Sequence, residues 1–161
     1  MSESCLLESV RGLLERTYRM RSGLKHLDRF IIGDQGYRMF YGTSAGVDSA
    51  GSIVAEGARM LIRETGESLR VCVYYPDSQI RLLERFPPQE GLNDLNIDAF
   101  GALVEELDHL LMIAERNFLR RQVTLFELEL HANISKHLVL TRFLAGRARR
   151  LTAEMRRWLR N

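Results

Sequence analysis

The stretch Ile97-Asp98-Ala99-Phe100-Gly101-Ala102-Leu103-Val104-Glu105-Glu106-Leu107-Asp108-His109-Leu110-Leu111-Met112-Ile113-Ala114-Glu115-Arg116 decides the second half of the fold. Phe100, Leu103, Val104, Leu107, Leu111 and Ala114 recur three or four residues apart, which is one apolar stripe of an α-helix. The opposite face carries Ala102, Glu105, Glu106, His109, Met112 and Ile113, too apolar a set for a fully solvated surface. The helix is therefore expected to be covered on both sides, with Asn96 as its cap.

Downstream, Thr124-Leu125-Phe126-Glu127 fits a capping box, so a second helix is expected from Leu125 to about Ala145. Leu125, Leu128, Ala132, Val139 and Phe143 make one stripe of it, and Leu130, His131, Ile134 and Leu138 lie toward another. The connection between the two helices is short, which makes them antiparallel neighbours.

Upstream, Leu6, Leu7, Val10, Leu13, Leu14 and Tyr18 describe an amphipathic helix beginning near Ser2. Phe30-Ile31-Ile32 and Tyr37-Arg38-Met39-Phe40-Tyr41, around the glycine-bounded Gly33-Asp34-Gln35-Gly36, read as a hairpin of two short strands. Gly42 to Ser52 is a Gly/Ser/Ala-rich connection. Ile53 to Thr65 carries helical spacing through Val54, Ala58, Leu61 and Ile62, with Gly66 as the stop. Leu69 to Tyr75 alternates and is rich in branched and aromatic residues, so it predicts a third strand closed by Pro76. Asp77 then caps a short helix through Phe86, ended by Pro87-Pro88. The expected fold class is α+β: a small antiparallel sheet of about three strands against several helices, with a C-terminal antiparallel helical pair. Residues 1–161 are read as a single domain, with an α/β part over 1–95 and a helical part over 96–161 that ends in a basic tail.

With 161 residues, 45% of them hydrophobic, the chain is long enough to bury a sizeable core. A net charge of +2 does not by itself argue for a nucleic-acid partner. The start of the chain lacks a basic segment followed by an apolar run, and no stretch is apolar enough to span a bilayer, so a cytoplasmic protein is expected. Cys5 and Cys72 stand alone, which indicates neither a disulfide framework nor a thiolate zinc site.

Chemistry concentrates in two Glu/His segments, Glu105 to His109 and Glu127-Leu128-Glu129-Leu130-His131. Glu105 and His109 are four residues apart on one helix face, and a chain reversal brings His131 to the level of His109. A metal set of Glu105, His109 and His131 would leave an open position for water, with Glu106 as the catalytic base. Zinc is the first expectation for this divalent metal, with iron or manganese as alternatives.

The string Val104-Glu105-Glu106-Leu107-Asp108-His109-Leu110-Leu111 resembles the H-E-x-x-H helix of zincin metallopeptidases over about one helix. The resemblance implies that Glu106 takes the base role and His109 a ligand role, with Glu105 where the family has its first histidine. It leaves open Glu127, Glu129 and His131 as the later ligand, and it points to a degenerate zincin-like hydrolase. The pattern Glu106 to His109 is also similar to one half of a ferritin-like di-iron motif.

The competing expectation is a non-enzymatic interaction or sensory module. In that reading the acidic residues pair with Arg116, Arg120, Arg121, Lys136 and Arg142, and Glu127 serves the helix cap. The arginine-rich tail, including Arg147, Arg149, Arg150, Arg156 and Arg157, contacts an acidic protein, nucleic acid or an anionic surface. Gly42-Thr43-Ser44-Ala45-Gly46 is similar to the nucleophile turn of patatin-like lipases, but Val47 to Gly51 prolongs a loop where that turn needs a helix, so Ser44 reads as a loop residue.

Overall fold

A computed structural model describes residues 3–41, 57–66 and 68–148. The elements are α1 (Glu3–Tyr18), β1 (Ile31–Ile32), α2 (Asp34–Tyr41), β2 (Arg59–Thr65), β3 (Ser68–Tyr74), α3 (Asp77–Arg85), α4 (Ile97–Phe118) and α5 (Leu125–Ala148), with short 3-10 turns at Leu27–Phe30 and Pro88–Glu90. The class is α+β, and the sheet has the order β1-β3-β2.

The alternation read in Leu69 to Tyr75 explains how the sheet is covered on both faces. Side chains of successive strand residues point to opposite sides. Val71 and Val73 face the main core with α1 and α4, while Cys72 and Tyr74 join Leu61, Tyr37 and Phe40 under α2. The sheet thus separates α2 from the rest of the helices.

Three local expectations differ from the structure. The sheet is mixed: β1 pairs with β3 in parallel, Ile31 opposite Val73, and only β2 and β3 are antiparallel. Tyr37 to Tyr41, expected as a strand, lies in α2. Its rings recur at Tyr37 and Phe40, three apart, so one helical turn sets both on the sheet. The start of α2 is held by Asp77, whose Oδ1 accepts the Asp34 N–H at 3.1 Å, while Asp34 Oδ1 accepts from the Tyr74 hydroxyl at 2.8 Å. Gly36 is required there, since a Cβ would stand 2.8 Å from the Ile32 Cβ.

The third difference concerns Ile53 to Thr65, expected as a helix. Its last seven residues form β2, paired from Arg59 opposite Tyr74 to Thr65 opposite Ser68. Residues 53–56 of that expectation, and Gly42 to Ser52, lie outside the described residues. Gly66, expected to stop a helix, instead turns the hairpin with φ 61°, a backbone conformation that glycine takes without steric cost.

The helical half follows the expected boundaries closely. α4 is buried along both faces: Phe100, Val104, Leu107 and Leu111 on one, Met112 and Ile113 on the other. Asn96 precedes α4, but its side chain does not cap it. Its amide donates to the carbonyls of Phe86 and Gly91 and its Oδ1 accepts the Asn93 N–H, so it ties down the preceding loop. The capping box of α5 is present, with Thr124 N–H donating to Glu127 Oε2 at 2.8 Å and Glu127 N–H donating to Thr124 Oγ1 at 3.2 Å. Among the described residues, no helix is long and apolar enough to cross a membrane.

Candidate functional site: the α4–α5 interface

Cross-helix pairs define how α4 and α5 meet. Lys136 Nζ donates to Glu105 Oε2 at 2.6 Å, and His131 Nδ1 lies 2.7 Å from Asp108 Oδ2. As residue numbers rise along α4 they fall along α5, so the pair is antiparallel. His109 and His131 therefore stand at the same level, as their spacing implies.

They do not face each other. Consecutive residues of a helix point about 100° apart, and Asp108, not His109, is turned to His131. One flank of the interface holds Asp108, His131 and, one turn further, Ser135. The other flank holds Glu105 with Lys136, and His109 with Glu129. The expected metal set of Glu105, His109 and His131 is thereby divided: Glu105 is engaged by Lys136 and His131 by Asp108, on opposite sides. Among the described residues, no group of three or more His, Cys, Asp or Glu side chains is placed to hold a metal ion.

The first flank is a closed network. Asp108 is fully buried and accepts from Ser135 Oγ at 2.7 Å on Oδ1 while meeting His131 on Oδ2. The Tyr18 hydroxyl is 3.0 Å from Ser135 Oγ, and the Tyr18 ring packs on His131 with centroids 4.1 Å apart. Burial, with the Asp108 charge adding to it, raises the Tyr18 phenol pKa against the opposing effect of the hydrogen bond with Ser135. Serine, histidine and aspartate are all present, but the carboxylate bridges the other two. A nucleophilic triad instead needs the serine on the imidazole, so this arrangement is a clamp joining α1, α4 and α5. No motif in the sequence marks Tyr18 or Ser135 as part of this site. The available signal was Asp108, an unusual carboxylate on a helix expected to be covered on both sides.

The second flank is less complete. Glu106 and His109 are both buried, and their closest approach, Glu106 Oε2 to His109 Nδ1, is 3.8 Å. That is beyond hydrogen-bond distance. His109 Nε2 is 4.0 Å from Glu129 Oε1. Among the described residues, Glu106 Oε2 and His109 Nε2 are buried without a hydrogen-bond partner. Burial alone disfavours the imidazolium, but the carboxylates of Glu106, Glu129 and Asp108 outweigh it and hold the His109 pKa above its ordinary value. The ring presents a different nitrogen to Glu106 and to Glu129, so an ion on Nε2 would meet Glu129 and not Glu106.

Glu127 is spent on the helix cap. Its two bonds from Thr124 lower its pKa, with Arg116 nearby adding to the effect. Gly42 to Gly46 and the tail residues Arg149, Arg150, Arg156 and Arg157 lie outside the described residues, and Arg147 falls in the last turn of α5.

The stripe reading of α5 needs one correction. Ala132 and Val139 are buried as expected, but Leu125 is exposed. With Phe126, Leu130, Ile134 and Leu138, also exposed, it belongs to an outward apolar surface. Phe126, Leu130, Ile134 and Leu138 form one i, i+4 row, with Phe126 74% and Leu138 42% exposed. Phe118, the last residue of α4, and Leu119 after it are exposed as well.

No family model matches this chain, and no curated protein or solved structure matches it.

Proposed function

We propose that this protein is a non-enzymatic interaction module, and that the outer face of α5 receives an acidic amphipathic helix of a partner protein. The observation that carries this reading is the exposed row Phe126, Leu130, Ile134 and Leu138. It runs about 18 Å along the helix, at 1.5 Å per residue. Apolar side chains in such a row are the ridge that a second helix takes into its own groove. Single exposed leucines are ordinary on a surface, but a contiguous row is not.

The charges favour an acidic occupant. Exposed Arg120 and Arg121 stand at the α4–α5 turn, and exposed Arg142 continues the same row beyond Leu138. Glu127 is turned back onto Thr124, and Glu129 lies beside His109. A second copy of α5 laid antiparallel along the row would bring the arginines at the turn toward the partner's Arg142, so self-pairing is opposed by like charge. The clamp at Asp108 fits this reading, because it fixes α5 on α4 and so keeps the row on a rigid support.

The test uses two labelled synthetic helices with leucines at i, i+4 spacing, one flanked by glutamates and one by lysines. The glutamate peptide is expected to bind at least about tenfold more tightly, with affinity falling as salt rises. Ile134→Glu should abolish that binding without shifting the melting temperature. Equal binding of both peptides, no binding of either, or an unaffected variant overturns the proposal. Capture by phosphatidylserine vesicles in place of the peptide would replace it with a lipid surface.

A further inference from the structure

A cavity of about 480 Å³ opens between α1, β1, α3 and α4, on the opposite side of α4's core from the α5 row. Leu6, Leu7, Ile31, Tyr75, Ile80, Leu83 and Leu103 give it apolar walls. Its size falls in the range of small-ligand sites, roughly 300–1,000 Å³. Tyr75 offers the cavity its ring and not its hydroxyl, because the hydroxyl donates to the Ala99 carbonyl at 2.6 Å. Burial holds the Tyr75 phenol well above its ordinary pKa, so it brings no charge to the wall.

The polar residues of the lining are few and of one sign. Asp28 and Glu84 both line the cavity and both are exposed, and Gln89 is the neutral polar residue of the lining. Among the described residues, no Lys, Arg or His lines it. Among the described residues, neither Asp28 nor Glu84 has an ion-pair partner. An apolar slot whose charged lining residues are two exposed carboxylates without an ion-pair partner selects by charge as well as by shape. It accepts an alkyl or aryl chain and favours a cationic head at the rim, while an anionic head of the same length would meet repulsion.

The geometry points to this cavity as a binding site for a small cationic amphiphile, an apolar chain ending in an amine, held with its chain against Tyr75, Leu83 and Leu103 and its ammonium group between Asp28 and Glu84. This site is independent of the α5 surface and of the Glu/His flank.

n-Octylamine and octanoate, which have the same apolar chain and opposite charge, are the probes, followed by calorimetry and by amide shifts in two-dimensional NMR spectra of the full chain. Octylamine is expected to bind and to shift amides of residues 80–84 and the first turns of α1, with octanoate binding at least about fivefold more weakly. Asp28→Asn and Glu84→Gln should each weaken octylamine by about two- to fivefold, as expected for exposed ion pairs, and should narrow the gap between the probes. Both positions are exposed, so the variants keep the fold. Ile80→Trp, which fills the slot, should remove binding of both probes. Equal affinity for the two probes, no binding of octylamine, or carboxylate variants that bind as the parent overturns the site.

Discussion

At the residue scale, two neighbouring positions of one helix have opposite fates. Asp108 is fully buried and satisfied by His131 and Ser135. His109, next in the chain, is buried with a nitrogen that has no hydrogen-bond partner among the described residues. Spacing along the sequence correctly places His109 and His131 at one level, because axial position depends only on residue number and the length of the turn. It does not say which of two consecutive residues faces the neighbouring helix, and that 100° decides the site. The carboxylates around His109 raise its pKa in the folded chain, so between the unfolded value of about 6.5 and the raised folded value the native state binds more protons than the unfolded state. Stability from this group is fully present below that unfolded pKa and is lost as pH rises through the folded pKa. Urea midpoints measured from pH 6 to pH 9 should therefore fall with pH, and His109→Gln should flatten that part of the profile. A profile unchanged by the substitution would mean that the carboxylates do not act on this imidazole.

At the scale of elements, helices with strong caps and long periodic runs are legible, and short segments are not. α4 starts after Asn96, although that side chain ties down the preceding loop and does not cap the helix, and α5 starts after Thr124 with its capping box present. The segments at Tyr37 to Tyr41 and Arg59 to Thr65 depart from the expected elements because their apolar residues satisfy more than one period. Leu61 and Ile62 fit a helical stripe equally with Ala58, yet pairing with β3 buries Leu61 and leaves Ile62 exposed. Asp77 was expected to cap its own helix and instead holds the start of α2, a long-range bond that no local pattern reveals. The two long helices also differ in what their leucines do. Leu107→Ala, in α4, removes a fully buried side chain and should cost about 2–5 kcal/mol in denaturant unfolding. Leu130→Ala, in α5, alters a side chain that is 50% exposed and should stay within about 0.5 kcal/mol. A cost at Leu130 comparable to that at Leu107 would show that the α5 row is covered in the protein itself.

At the scale of the whole molecule, α4 is the element that the others share. It touches α1, α3, α5, β2 and β3, and thirteen of its residues, from Ala99 to Ile113, are buried. The expectation of a helix covered on both sides came from its composition alone, since apolar residues occupy even the face that carries Glu105, Glu106 and His109. Which elements supply the cover could not be read there, because α1 and the sheet reach α4 through contacts between residues far apart in the chain. Opening of α4 must expose every one of those surfaces at once, whereas the outer turns of α5 can fray while their neighbours hold. Amide hydrogens of residues 103–113 should accordingly be the last to exchange with deuterium, at free energies close to that of global unfolding. If amides of β2 and β3 outlast them, the molecule opens from its helical side first. A partner held on the outer row of α5 would slow exchange in the fraying turns beneath it and at the centre of α4 alike, because a ligand of the folded chain raises the cost of global unfolding, so the α4 amides become a gauge of occupancy at a surface they do not touch.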